Sequence, residues 1–129
     1  MEKTNFERLE IYQLSEKVAD QIWDIVNSWP RLAQRTIGEQ VIRSAESIGA
    51  NISEGSGRGT ATDNRRFLRM ARGSLYETRH WLRRAHKRQL LNDSQTNSLS
   101  LLITELTPKL NAYIGRTNDT VKKERKELD

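Results

Sequence analysis

The chain has 129 residues, 35% of them hydrophobic, and 22 Lys+Arg against 17 Asp+Glu give a formal charge of +5; with a mean hydropathy of −0.80 this describes one water-soluble globular domain. There is no cysteine, which excludes disulfides, thiolate metal sites and cysteine nucleophiles together. Met1 to Arg8 lack the apolar core of a signal peptide and no stretch reaches the roughly 18 uninterrupted apolar residues of a membrane span, so a cytoplasmic protein without membrane contact is expected.

In chain order, Leu9, Tyr12, Ala19, Trp23 and Val26 follow 3,4 spacing and predict a first helix over about 9–28. It stops at Trp29-Pro30, because the residue before proline avoids helical backbone angles. A second apolar stripe on this helix, Ile11, Leu14, Val18 and Ile25, lies about 120° around the axis. One bundle core is not expected to cover both, and the second stripe is assigned to contact with another subunit. Ile37, Val41, Ala45, Ile48 and Ile52 predict a second helix over about 35–54, ended by three glycines between Gly55 and Gly59.

Thr60, Thr62 and Asp63 offer N-caps for a third helix that runs to about Arg88, with Phe67, Met70, Ala71, Ser74, Leu75, Thr78, Leu82 and Ala85 on its apolar side. Asn92 and Asp93 start a fourth, whose broad face carries Leu99, Leu102, Ile103, Leu106, Leu110, Tyr113 and Ile114. Pro108 removes one helical hydrogen bond and predicts a kink rather than a stop, because the apolar period survives on both sides. Residues 116–129 hold five basic and four acidic side chains with little to bury, and are expected to form a flexible charged tail outside the 1–115 domain. No strand pattern occurs, so the fold class is all-α, an antiparallel up-down four-helix bundle.

Candidate chemistry is sparse. His80 and His86 are about 120° apart on one helix and cannot share a ligand, and no metal motif or carboxylate pair stands out, so no metal, no cofactor and no catalytic residue are expected and the protein is read as a non-enzyme. Gly55-Ser56-Gly57-Arg58-Gly59-Thr60 lacks the endings of nucleotide-binding loops and is read as a turn, with Arg58 free for an anion.

The third helix carries the strongest signal. Between Arg58 and Arg88 there are ten basic and two acidic residues. Arg65, Arg69, Arg72, Tyr76, Arg79 and Arg83 are spaced 4, 3, 4, 3, 4, within about 80° of arc and opposite the apolar side, with Arg66, Arg84 and Lys87 flanking them. Helix stability alone disfavours like charges at that spacing. The stripe therefore points to acidic partners on other helices or subunits, or to phosphates of RNA or another single-stranded nucleic acid, with Tyr76 available to stack on a base. Arg72 fits either role.

Several runs taken together resemble a known family. Ser47-Ile48-Gly49-Ala50-Asn51-Ile52-Ser53-Glu54-Gly55-Ser56-Gly57-Arg58, Arg66-Phe67-Leu68 and Ala71-Arg72-Gly73-Ser74-Leu75-Tyr76-Glu77, with the Leu9-Glu10-Ile11-Tyr12 start and the Trp29-Pro30 stop, are similar to proteins encoded in intervening sequences of bacterial 23S ribosomal RNA genes. The family usually has proline where Gly49 stands and alanine where Ser53 stands. The resemblance implies a left-handed antiparallel four-helix bundle that forms a ring-like homopentamer with a basic surface. A related branch, the accessory variability proteins of diversity-generating retroelements, binds a reverse transcriptase and nucleic acid. The motif residues Asn51, Glu54, Gly55, Arg72, Gly73 and Ser74 would then mark architecture, with Glu54 paired to Arg72 and Gly73-Ser74 permitting close helix approach.

Overall fold

The computed structural model describes residues 5–129 and places nearly all of them in helices. After a 3₁₀ turn, Phe6–Arg8, the helices are α1, Glu10–Asn27; α2, which begins as Arg31–Ala33, passes through a π-helical turn Gln34–Gly38 and continues as Glu39–Ser56; α3, Ala61–Lys87; and α4, Asp93–Leu128. No strand occurs among the described residues.

Local chemistry sets the ends. Trp29-Pro30 terminates α1, and Pro30, whose missing N–H is no loss at a helix start, leads directly into α2. The Gln34 side chain donates to the Val26 and Asn27 carbonyls at the end of α1, the former also accepting from the Trp29 N–H. Gly59 supplies the positive φ of 86° in the α2–α3 turn. Thr60 then caps α3 by accepting from the Asp63 N–H at 3.2 Å. Asn92 and Gln95 form a reciprocal capping box at the start of α4.

Side-chain contacts fix an antiparallel order. Gly38 meets Val26 and Gly49 meets Ser15 between α2 and α1, and Gly55 meets Asn64 and Phe67 between α2 and α3. Arg72 reaches Asn111 and Arg65 reaches Asn118 between α3 and α4. Gln21 with Ser98, and Lys109 with Glu10, close the bundle between α4 and α1. Each helix thus packs on its two neighbours around the square, and among the described residues no close backbone approach joins diagonal pairs. The Trp29 indole N–H donates to the Leu90 carbonyl at 2.9 Å, tying the α1–α2 corner to the α3–α4 turn at one end.

The core is apolar apart from the hydroxyls of Ser15, Ser44, Thr78 and Thr117, two of which meet across a helix seam. Thr78 and Ser44 are buried, and Thr78 Oγ1 lies 2.9 Å from Ser44 Oγ and 2.8 Å from the Ser74 carbonyl, so the hydroxyls satisfy one another inside the α2–α3 seam.

Several expectations are corrected here. Ile11, Leu14 and Val18 are buried within the chain, Val18 completely, and Ile25 packs partly buried against the same core. They are core residues and not a free face for another subunit. The buried set Ile11, Leu14, Ser15, Val18, Ala19, Ile22 and Val26 spans about 140° of arc, and Trp23, expected inside, lies beyond its edge and is 53% exposed. On α3, Leu68 is buried and Met70 exposed. The fourth helix does not end near 115: it runs through Pro108 to Leu128, with Thr117 and Val121 buried. Residues 116–128 are therefore the last turns of α4, because valine at 121 continues the 3,4 spacing from Leu110, Ile114 and Thr117.

Candidate nucleic-acid interface

The basic stripe of α3 sits beside the core rather than opposite it. Buried Phe67, Leu68, Ala71, Leu75, Thr78 and Ala85 occupy about 100° of the helix, and the Arg65–Arg83 stripe begins about 20° past Leu68, on the side facing α4. The arginines consequently lean along the α3–α4 seam. Arg65 and Arg69 both donate to Asn118 Oδ1, at 3.3 and 3.4 Å, and Arg72 donates to Asn111 Oδ1 at 3.3 Å.

Those partners are neutral. Among the described residues none of Arg65, Arg69, Arg72, Arg79 and Arg83 has a carboxylate within salt-bridge distance; the ion pairs are Arg58–Glu54, Arg66–Asp63, and Lys109 with Glu10 and with Glu105. An amide oxygen orients a guanidinium without cancelling its charge, so the face keeps a full positive charge held in one geometry. Tyr76 is 49% exposed in the middle of the stripe. Arg79 and Arg83 continue it into a groove between α3 and α4, and Lys87 prolongs the same line.

Arg58 and Arg66 are engaged elsewhere. Arg58 pairs with Glu54 at 2.7 Å, and its guanidinium lies 4.9 Å from the Phe67 ring centre. Arg66 covers the same ring at 4.5 Å, beside Asp63. Arg66 and Arg84 stand about 100° from Arg65, on the flank away from α4. The expected Glu54–Arg72 pair is thus replaced by Glu54–Arg58 and Arg72–Asn111. Gly73 is not at a close approach, since a Cβ there meets nothing within 4 Å. The close approach belongs to Gly55, whose Cβ would lie 2.7 Å from Asn64 Oδ1 and 2.9 Å from Phe67 Cβ. Ser74 is half-buried and gives its carbonyl to Thr78. Asn51 donates to the Ser47 carbonyl within α2.

Of the 55–60 segment, Gly55 and Ser56 are the last residues of α2 and 57–60 form the turn, the following helix start closed by Thr60 and faced by Asp63. His80 stacks edge-on against Trp81 at 4.7 Å, whereas His86 lines the groove with Arg79 and Arg83. The Lys109 amine is held above the ordinary lysine range by its hydrogen bond to Glu10 and then by that to Glu105. No group of three or more His, Asp or Glu side chains suited to a metal occurs among the described residues. No helix among them is long and apolar enough to cross a membrane. Asn111 and Asn118 were not visible as site residues in the sequence; their only signal is an i,i+7 spacing that repeats Arg65 to Arg72 across the seam.

Comparison with known proteins agrees with this architecture. A crystallised protein of unknown function from the S23 ribosomal protein family of Bacteroides thetaiotaomicron superposes with a TM-score of 0.71 at 24% identity, covering 81% of this chain and 97% of its own. That likeness concerns the fold. No curated protein matches the sequence. A family model described as 23S rRNA-intervening sequence protein matches residues 7–112, from the 3₁₀ turn to the middle of α4. The run covers most of the chain, including α1, α2 and α3 whole, so the chain belongs to the 23S rRNA-intervening sequence protein family.

Proposed function

We propose that this protein is a non-enzymatic, cytoplasmic RNA-binding bundle that works as a homo-oligomer and contacts phosphates through Arg65, Arg69, Arg72, Arg79 and Arg83. The observation that carries the reading is the stripe's partners: three of its arginines are held by neutral asparagines, and none meets a carboxylate among the described residues. A helix gains nothing from such a row by itself, whereas each phosphate contact releases a counterion. From Arg65 to Arg83 the row measures about 27 Å at 1.5 Å per residue, enough for several successive phosphates. Tyr76 at its centre offers an exposed ring for one base.

The test replaces Arg65, Arg69, Arg79 and Arg83 together with glutamine and measures binding of single-stranded RNA across a salt titration. Loss of four phosphate contacts lowers the slope of log affinity against log salt by about 3, at roughly 0.7 per contact on a single strand. The helical signal stays, because these side chains lie outside the core. A variant that binds like its parent at every salt concentration removes the RNA reading and leaves the face to a protein partner, the role of reverse-transcriptase accessory proteins in the related branch.

A further inference from the structure

Resting on the RNA-binding reading, we infer that the groove between α3 and α4 is a pocket for one unstacked nucleotide of a single strand, taking the base on its apolar floor while Arg79 and Arg83 hold the adjoining phosphates. The groove has a volume of about 580 Å³, within the range of small-ligand sites. Its floor is Leu82, Leu91, Leu99 and Ile103, and one wall is Arg79, Arg83 and His86. Apolar floor and cationic wall together are complementary to a ligand with a flat uncharged part beside an anion.

The opposite wall narrows the class of ligand. Ser100, Thr104 and Pro108 follow at four-residue intervals along α4, all on the groove. Pro108 sits inside the helix and has no N–H to give, so the Thr104 carbonyl lacks its ordinary helical donor. The groove therefore offers a backbone acceptor besides the Ser100 and Thr104 hydroxyls. An exocyclic amino group of adenine, cytosine or guanine supplies the missing donor at the edge of the base, whereas uracil offers only its ring N3–H, flanked by two carbonyl oxygens that repel an approaching acceptor. A docked acidic helix would leave that carbonyl unmet, because its own backbone N–H groups are used internally. The arginine stripe runs into the groove from Arg72 and Tyr76, so a strand following the phosphate contacts arrives at its mouth.

Binding of the full-length protein to short oligo(A), oligo(C) and oligo(U) is compared with binding to an abasic strand of equal length and charge, by fluorescence anisotropy over a salt series. The expected result is about tenfold tighter binding of the adenine and cytosine strands than of the abasic one, with uracil between. Ser100→Phe fills the groove from an exposed position and reduces all strands to the abasic affinity with the salt slope intact. Pro108→Ala returns an N–H to the Thr104 carbonyl, keeps the helix, and abolishes the preference for adenine and cytosine over uracil. If the abasic strand binds as well as the others, or Ser100→Phe binds like the parent, the pocket is overturned while the stripe stands, and an acidic helix becomes the better occupant. If the parent binds no strand at low salt, stripe and pocket fall together. Cytidine monophosphate competing at strand concentrations overturns the strand as the source and assigns the groove to a free nucleotide.

Discussion

Replacing Val121 with aspartate tests whether the last turns of α4 belong to the domain. Val121 is 1% exposed, and Thr117 one turn earlier is 7% exposed. Thr117 and Thr120 share a shallow depression with Ala61 and Asn64 at the start of α3, so this end of α4 lies against the beginning of the basic helix. Full burial of a valine contributes about 1.5–3 kcal/mol, and an unpaired carboxylate in its place adds a desolvation cost of several kcal/mol unless the segment detaches. Detachment limits the loss to what the segment contributes, which places the expected destabilisation of Val121→Asp at roughly 2–4 kcal/mol. At about 2.1 cal/mol/K of unfolding entropy per residue, 1 kcal/mol moves the midpoint of a chain this size by roughly 4 °C, so thermal unfolding followed by circular dichroism should show a drop of about 8–16 °C. Leu128→Asp is the control, since Leu128 is 87% exposed and its substitution should change nothing measurable. A Val121→Asp variant that melts with the parent would refute the packing of residues 116–128 and return them to a frayed tail.

Val18→Glu places a charge at a fully buried core position and should abolish cooperative unfolding, whereas Trp23→Glu at the exposed edge should leave the helical signal and the melting midpoint within about 2 °C of the parent; a Val18→Glu protein that stayed folded and merely changed mass in light scattering would restore the subunit-interface assignment. Gly55→Ala inserts a Cβ 2.9 Å from Phe67 Cβ and should cost about 1–3 kcal/mol in urea unfolding. Gly73→Ala, with open space around it, should stabilise α3 by up to about 1 kcal/mol; the reverse order of the two alanine variants contradicts the packing described for both sites.

The fold was legible wherever punctuation and period agreed. Trp29-Pro30, the glycines at 55, 57 and 59, and the Asn92 cap each fall at or within a few residues of an observed boundary. The first helix misled because its largest side chains are not its most buried ones. Tyr12 and Trp23 drew the core stripe toward themselves, while Ser15 and Ile22, which belong to neither expected stripe, lie with Ala19 and Val26 in the buried set, and a serine in a stripe reads as a gap. The end of α4 was misread for a related reason. Nine charges surround Val121 and Thr117, and composition averages over a turn in which one buried valine every fourth position is sufficient to hold a helix already fixed upstream.

The site was legible as a pattern and illegible as a surface. Spacing alone put Arg65, Arg69, Arg72, Tyr76, Arg79 and Arg83 on one line, and they do share one. What spacing cannot supply is the neighbour. Leu68, omitted from the apolar set, extends the core face toward the stripe and turns it from the solvent side into the α3–α4 seam. That rotation decides the chemistry. On the far side of the bundle the same arginines would be mobile and independent, each free to find any counterion. In the seam Asn111 and Asn118 hold three of them by their guanidinium N–H groups, and the entropy of ordering a long side chain is met in the unliganded protein rather than at the moment of binding. Aspartate at either position would have held them more tightly and neutralised them. Amides at both leave Arg65, Arg69 and Arg72 oriented and still charged, which is what the proposed phosphate contacts require.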